Sequence, residues 1–342
     1  MNFHGLLTVN DSGRLSTALT KLDENDLMPG EVTISVDYST INYKDAMAIS
    51  GRAVVIQSFP LVPGIDLAGT VEESSYPGIA RGDRVVVNGW ELGQTHHGGY
   101  AQFARVPGEW VVRLPDRLST MEAMAIGTAG YTAMLCILAL EHGGIEPSSG
   151  TVLVTGASGG VGSIAVALLS RLGYRVTAST GRIEESTYLR SLGASKIIDR
   201  AELSSPATDP LGTQRWSGAI DSVGSHTLVN VLSQTHDRGV VAACGLAQGT
   251  DLPGTVLPFI LRNVTLAGID SVHAPRELRE LAWSRLADDL DREKLTQTMQ
   301  TVGLGDVPGM VETLLAGRIR GRTVVDVNAI PRSTTGTGVV TS

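Results

Sequence analysis

The spacing of apolar and polar residues divides the chain into two kinds of region. Up to about residue 125, apolar residues alternate with polar ones or form short β-branched runs, as in Glu31 to Val36 and Asp83 to Val87. Turn residues such as Pro29-Gly30 and Pro63-Gly64 interrupt these runs at fairly regular intervals. A period of two, broken by turn chemistry, predicts a compact and mostly β domain.

The pattern changes near Thr120, where the segment Ser119 to Ala125 has the composition of a capped helix start. Apolar residues with helical spacing then run from Tyr131 to Leu140, and beyond Gly150 strand-like runs alternate with helical ones. The predicted strands are Val152 to Thr155, Arg175 to Ala178, Lys196 to Ile198, Gly218 to Asp221, Gly239 to Ala243 and Val264 to Gly268, with helices at Val161 to Leu172 and Ser186 to Leu192. This alternation predicts parallel βαβ units.

The last part of the chain begins with a predicted helix from Pro275 to Leu286, followed by a polar helical region. The β-rich segment Gly321 to Asn328 is expected to return to the first domain. We therefore predict an α/β protein with a discontinuous, mostly β domain (1–125 and 273–330) and a nucleotide-binding domain (126–272). Residues 331–342 are rich in Ser, Thr and Gly and are predicted to be a disordered tail.

Composition narrows the possible functions. With 342 residues the chain is long enough for two lobes, and its net charge is −8. A negative chain offers no electrostatic footprint for nucleic acid or an anionic membrane, so neither is expected as a partner. The N-terminus lacks a basic segment followed by an apolar one, and no uninterrupted apolar run approaches membrane-spanning length, which leads us to expect a cytoplasmic protein. Two cysteines cannot build a four-thiolate zinc site.

A glycine-rich loop provides the first chemical motif. Thr151 to Val154 is a buried-type strand that runs into Gly156-Ala157-Ser158-Gly159-Gly160-Val161-Gly162 and then into an Ala- and Leu-rich helix. Glycines let backbone N–H groups approach a pyrophosphate, and the helix start adds partial positive charge. The fingerprint is imperfect, because Ala157 stands where its first glycine is expected. We predict a dinucleotide-binding Rossmann fold with this loop at the pyrophosphate.

The residues after the second strand of this unit indicate which dinucleotide binds. An NAD site carries an acid about 20 residues past the loop, whereas an NADP site carries small polar groups and a cation. Here the strand ends in Ser179-Thr180-Gly181-Arg182, and the first acid is Glu184. NADPH is therefore the predicted cofactor, with Arg200 as a second candidate cation for the 2′-phosphate. The alternative is that Arg182 is a solvated charge at a helix start.

Several segments carry a family resemblance that covers nearly the whole chain. They are Ile41 to Asp45, Phe59 to Val71, Gly127 to Met134, the glycine loop and Pro258 to Val264. With these the chain resembles the medium-chain dehydrogenase/reductase superfamily, and within it the acryloyl-CoA reductases long labelled putative quinone oxidoreductases. The resemblance implies a GroES-like catalytic domain, a Rossmann domain with the cofactor in the cleft, and dimerisation through the nucleotide-binding domains.

The resemblance also suggests the site residues. Tyr43 is expected beside the nicotinamide, where it could orient the ring or supply a proton, and Asn42 and Asp45 are expected as catalytic neighbours. The alternative for Tyr43 is a half-buried core tyrosine, and Lys44–Asp45 could be a structural ion pair. Further cofactor contacts are implied at Thr128, Leu246, Ile260 and Ser271, and the pyrophosphate contacts are implied at Ser158, Gly159, Gly160 and Val161. For Ile260 the alternative is core packing.

Zinc-dependent members of the superfamily carry a metal-binding Cys where this chain has Asn42-Tyr43, and Gly-His-Glu where it has Gly64-Ile65-Asp66. We therefore expect no metal, and His96 and His97 are interpreted as a loop near the cleft. Without a Lewis acid, hydride addition to a carbon–carbon double bond conjugated to a carbonyl is the favoured chemistry. The first hypothesis is reduction of acryloyl-CoA to propanoyl-CoA. A quinone or general enone reductase and a non-catalytic NADPH-binding protein are the alternatives.

Overall fold

The computed structural model describes residues 1–207 and 209–330, so the predicted tail at 331–342 lies outside the described residues. The chain opens with an antiparallel hairpin in which Ser12 and Gly13 both have positive φ angles, as a type I′ turn requires. The elements of the first region are β1 (Asn2–Asp11), β2 (Arg14–Asp23), β3 (Val32–Ile41), α1 (Tyr43–Ser50), β4 (Asp66–Ser74), β5 (Arg84–Asn88), β6 (Phe103–Val106) and β7 (Val112–Arg113).

A long helix then leads into alternating strands and helices. These are α2 (Thr120–His142), β8 (Thr151–Val154), α3 (Gly160–Arg171), β9 (Arg175–Thr180), α4 (Ser186–Leu192), β10 (Lys196–Asp199), α5 (Ala201–Ser204), β11 (Trp216–Asp221), α6 (Ser225–Ser233), β12 (Thr235–Ala243), α7 (Leu257–Arg262) and β13 (Thr265–Gly268). The chain continues through α8 (Arg276–Asp289), α9 (Arg292–Thr298), β14 (Met299–Gly303), α10 (Val307–Leu315) and β15 (Arg322–Asp326).

The second region forms a six-stranded sheet in the order β10-β9-β8-β11-β12-β13, and every pair in it is parallel. The prediction of parallel βαβ units and a Rossmann-type α/β fold is confirmed. The strand order reverses between β8 and β11. In open sheets of this kind, ligands bind in the crevice at the carboxyl ends of the strands next to the reversal.

The other large sheet has the order β14-β15-β3-β4-β5-β7, and β6 also pairs with β3. β15 pairs antiparallel with β3, from Thr323 opposite Ile41 to Asp326 opposite Tyr38. The expectation that the last β-rich segment returns to the first domain is therefore confirmed. The hairpin β1–β2, helix α1 and strand β14 were not predicted, and the domain limits stay a prediction.

Helix α2 lies between the two large sheets and joins their cores. One apolar cluster contains Ala68 and Val86 of the first sheet, Met124 of α2, and Val152 and Val176 of the second sheet. α2 is longer and more apolar than expected, enough by length and composition to cross a membrane, but 83% of its most apolar window is buried inside the protein. It is therefore a core helix, broken only at Gly127, whose φ of 51° and ψ of −163° are not helical.

Candidate active site

The glycine loop lies between β8 and α3 and has the geometry that a pyrophosphate site needs. Gly156 has a φ of 58°, a conformation that glycine adopts without strain. A β-carbon on Gly162 would lie 2.4 Å from the carbonyl oxygen of Gly156 and 2.6 Å from Cα of Ala157, so a side chain has no room there. Gly159 caps the twelve-residue helix α3, whose first N–H groups lack helical partners. This close packing aims unpaired N–H groups at an anion.

Three predicted cofactor residues meet beside this loop. The guanidinium of Arg182 donates to the backbone oxygen of Ser158 at 3.0 Å and to its hydroxyl at 3.0 and 3.2 Å. The hydroxyls of Ser158 and Thr180 lie 3.0 Å apart, and the Arg182 backbone N–H donates to Thr180 Oγ1 at 3.0 Å. The predicted cation and hydroxyls thus form one cluster, which fits a dinucleotide that carries a 2′-phosphate.

Arg200 approaches the same cluster, since a β-carbon on Gly181 would lie 2.4 Å from Nε of Arg200. Ser179 is buried, and its backbone oxygen accepts the N–H of Ala157 at 3.0 Å, so it supports the loop from below. The Arg200 backbone N–H donates to the Thr180 carbonyl at 2.9 Å, which holds the second cation at the carboxyl end of β9.

Three of the remaining predicted cofactor contacts are exposed or half-buried. Leu246 is 57% exposed and Ile260 64% exposed, whereas Tyr43, at the start of α1, is 49% exposed. Ser271 lies in a segment held by Arg279, whose guanidinium donates to the backbone oxygens of Ser271 and Val272. No bound molecule tests these assignments, so they remain predictions.

Asn42 and Asp45 lie in a buried network directly behind Tyr43. The backbone N–H and the side-chain amide of Asn42 donate to Asp45 Oδ2 at 2.8 and 3.1 Å, and the N–H of Ile65 donates to Asp45 Oδ1 at 2.9 Å. Asp45 is 1% exposed. Burial and the charge of Asp66 raise the pKa of Asp45 to about 7, although the hydrogen bonds from Asn42 and Ile65 act in the opposite direction.

These contacts bear on the predicted catalytic roles. Because Asn42 and Asp45 are buried and hydrogen-bonded to the protein, positioning Tyr43 fits them better than touching a substrate, and all three roles stay predictions. The alternative of a Lys44–Asp45 ion pair is not found, since no oxygen of Asp45 lies within 4 Å of the Lys44 ammonium. Burial nevertheless lowers the pKa of Lys44.

Asp66, at the start of β4, is the centre of the network. Its Oδ2 accepts from the side-chain amide of Asn42 at 2.8 Å and from the N–H of Thr128 at 2.9 Å. Its Oδ1 accepts from the side-chain amide of Asn88 at 2.6 Å and from the hydroxyl of Thr128 at 2.5 Å. All four groups are donors, as a carboxylate requires.

Arg322 completes the network from β15. Its guanidinium donates to Thr40 Oγ1 at 2.8 Å, to Asn42 Oδ1 at 3.2 Å and to the backbone oxygen of Ala125 at 3.2 Å. Burial lowers its pKa, and the nearby charges of Asp66 and Asp45 oppose this shift. This buried guanidinium therefore ties β15 to the end of β3, to Asn42 and to α2.

The two histidines interpreted as a loop near the cleft have structural partners, and so have two further arginines, Arg52 and Arg262. Nε2 of His96 lies 2.7 Å from the backbone oxygen of Arg105, and Nδ1 of His97 accepts the N–H of Val62. Within residues 1–207 and 209–330, no three His, Cys, Asp or Glu side chains are grouped as metal ligands would be. The Arg262 guanidinium donates to three backbone oxygens, and Arg52 pairs with Glu312 at 2.7 Å.

The reasoning from sequence missed Asp66, Asn88, Arg322 and Arg279 as members of the site. Two of them could have been found from the sequence. Asp66 interrupts the apolar run from Val62 to Val71, and Arg322 stands beside the β-rich segment Thr323-Val324-Val325. A charged residue inside such a run is buried only when it has hydrogen-bond or ion-pair partners.

Comparison with known proteins agrees with this architecture. The family "Alcohol dehydrogenase GroES-like domain" matches residues 28–116, and "Zinc-binding dehydrogenase" matches residues 160–288. The chain is 49% identical to "Acrylyl-CoA reductase AcuI" of Ruegeria pomeroyi over 329 residues, which cover 96% of this chain and 100% of the relative. The chain belongs to the medium-chain dehydrogenase/reductase superfamily.

Other members of the superfamily match over a similar length. "Putative quinone oxidoreductase YhfP" of Bacillus subtilis is 44% identical over 94% of this chain and 98% of its own length. The crystal structure of the yhdH oxidoreductase from Salmonella enterica, solved in complex with NADP, is 48% identical. It superposes with a TM-score of 0.93 over 95% of this chain and 99% of that one. The chain therefore belongs to the group of acrylyl-CoA reductases and quinone oxidoreductases within the superfamily.

Proposed function

We propose that the chain is an NADPH-dependent reductase that saturates the conjugated double bond of acrylyl-CoA to give propanoyl-CoA. The observation that carries this proposal is the 49% identity to an acrylyl-CoA reductase over nearly the whole length of both chains. The cluster of Ser158, Thr180 and Arg182 supports NADPH over NADH, because it brings a cation and two hydroxyls together where an NAD site has an acid.

The residues that would hold NADPH fall into two groups. Gly159, Gly160 and Val161 at the start of α3 would bind the pyrophosphate, and Arg182 with Arg200 would pair with the 2′-phosphate. When bound, NADPH supplies the hydride for the acceptor carbon. The chain's own contribution is to orient the acceptor and to provide polar groups near its carbonyl.

The hydrogen bonds in the structure restrict what each polar group can offer. Thr128 donates both its N–H and its hydroxyl hydrogen to Asp66, so its hydroxyl oxygen can only accept from a ligand. An acceptor at this position fits the NH₂ of a nicotinamide carboxamide. Tyr43 is half-exposed, so its hydroxyl is accessible to donate to a carbonyl or to supply a proton.

A quinone reductase is the second candidate function, favoured by the 44% identity to a protein named as a putative quinone oxidoreductase. The test follows the loss of NADPH absorbance in parallel reactions with acrylyl-CoA, crotonyl-CoA and a small quinone. The proposal expects the largest kcat/KM for acrylyl-CoA. A larger kcat/KM for the quinone than for either thioester would reject it in favour of the second candidate.

We also propose a cytoplasmic homodimer that forms through the edge strand β13. β13 ends the six-stranded sheet, and the segment that leads into it exposes Val256 at 62% and Leu261 at 60%. An open strand edge beside exposed apolar side chains is normally covered, and a second copy provides a matching edge. Sedimentation equilibrium should give twice the mass of one chain for the wild type and a single chain for Leu261→Glu. A monomeric wild type would reject the dimer.

A further inference from the structure

The carboxylate of Asp66 collects donors from three separate elements. They are Asn42, which precedes α1, Asn88 at the end of β5, and Thr128 within α2. Neither oxygen is left without a partner, and the side chain has no exposed surface. Carboxylates rarely become fully buried unless they are paired and hydrogen-bonded in this way, so the site is built around the charge.

The break in α2 makes this arrangement possible. Gly127 has a positive φ, so the N–H of Thr128 begins a second helical segment and is free to donate to Asp66. A β-carbon on Gly127 would lie 3.0 Å from Asp66 Oδ2 and 2.6 Å from Nη2 of Arg322. The carboxylate therefore lies at the positive end of the segment Thr128 to His142, where the helix dipole favours an anion.

Arg322 extends the network to the cofactor loop. Nη2 of Arg322 binds Asn42, and a β-carbon on Gly160 would lie 3.0 Å from Nη1 of the same guanidinium. The backbone N–H of Gly321 also donates to the Ser158 oxygen at 3.2 Å. One continuous set of contacts thus runs from the glycine loop through Arg322 to Asn42, which directly precedes Tyr43 in the chain.

We propose that Asp66 is a positioning residue: its carboxylate, with Arg322, fixes Asn42 and Thr128 relative to each other and so sets the place of Tyr43 against the nicotinamide. This inference rests on the proposed function, since it assumes that hydride transfer occurs between Tyr43 and Thr128.

The substitution Asp66→Asn tests the proposal with little change in shape. An amide has one acceptor oxygen, so its NH₂ must face two donors, either those of Asn42 and Thr128 or those of Asn88 and Thr128. We expect kcat to fall by about tenfold to a hundredfold, as for loss of a group that orients reactants. The KM for NADPH should change by less than about threefold, because the contacts of Arg182 and Thr180 are untouched.

The readouts separate positioning from simple support of the fold. With NADPH deuterated at the transferred position, the isotope effect on kcat should be larger for Asp66→Asn than for the wild type, because hydride transfer becomes slower. Asp83→Asn is the matched control, since Asp83 caps a turn at Ala80 in the same domain and lies outside the network. A folded Asp66→Asn enzyme with kcat within twofold of the wild type would overturn the proposal, as would an equal fall in Asp83→Asn.

A second variant and the choice of substrate cover two other outcomes of this experiment. If Asp66→Asn does not fold, Asn88→Ala removes one donor to Asp66 and leaves Asn42, Thr128 and Tyr43 in place. The proposal then expects a lower kcat with an unchanged KM for NADPH, and an unchanged kcat overturns it. All variants are measured with the acceptor that the wild type reduces fastest, so a wild type that rejects acrylyl-CoA contradicts the proposed function without affecting this comparison.

Discussion

Asp45 gives a pH dependence of stability whose sign and size follow from its surroundings. Its pKa rises from 3.8 to about 7 in the folded protein, chiefly through burial and then through the charge of Asp66. The folded state therefore holds a proton between those values that the unfolded state has released. As the pH rises through this window, the folded protein loses stability, and above pH 7 the full penalty is present.

The shift of roughly 3 pKa units corresponds to a penalty on the order of 4 kcal/mol above pH 7. Between pH 8 and pH 6 the pH crosses about one unit of this window, so the wild type should regain about 1 kcal/mol of stability on acidification. Asp45→Asn has no titrating group at this position and should lack that gain. The quantity to compare is the change in the free energy of unfolding with pH in each variant, because the amide of Asp45→Asn also loses acceptors for Asn42 and Ile65 and so changes the absolute stability.

The assay is urea unfolding followed by tryptophan fluorescence at pH 6 and pH 8. Burial also lowers the pKa of His96 and of His97, which makes the protein less stable in acid, but both histidines are present in each variant and cancel in the difference. Asp116→Asn removes a fully exposed carboxylate and should behave as the wild type. If Asp45→Asn gains as much stability as the wild type between pH 8 and pH 6, the reasoning is refuted.

Three further predictions concern the glycines and the 2′-phosphate site. Gly127→Ala should lower the free energy of unfolding by about 3 kcal/mol, seen as a lower thermal midpoint, because its φ is positive and its β-carbon meets Arg322. Gly162→Ala should weaken NADPH binding at least about tenfold in a fluorescence titration, whereas Gly309→Ala, whose β-carbon meets nothing within 4 Å, should bind normally. Arg182→Ala should raise the KM for NADPH by about tenfold or more and leave that for NADH nearly unchanged, and an unchanged KM for NADPH would contradict the assignment.

The parts of the fold that could be predicted from sequence are those set by local patterns. The parallel strands of the second region follow from alternating runs between glycines, and α4 has the predicted bounds Ser186 to Leu192. Helix α1 was missed because it is only eight residues long and its start depends on the cap formed by Asn42 and Asp45. β14 was missed because none of its five residues is buried and the strand is defined by its pairing with β15, which no local pattern reveals.

The candidate site shows the same limit. Ser158, Thr180 and Arg182 could be placed together because they follow adjacent strands of one βαβ motif. The contact between Arg322 and Asn42 could not be predicted from the sequence, because it joins residues 280 positions apart. The sequence can show that a polar residue in an apolar run needs a hydrogen-bond or ion-pair partner, but it does not show which residue that partner is.

The return of β15 to β3 has a consequence for the order in which the protein can fold during synthesis. The six-stranded sheet is built from the continuous stretch Thr151 to Gly268, so it can form as soon as that stretch has left the ribosome. The other sheet must wait for Arg322 to Asp326, and the same strand delivers the guanidinium that holds Asn42. The network behind Tyr43 is therefore completed last, after the glycine loop is already in place.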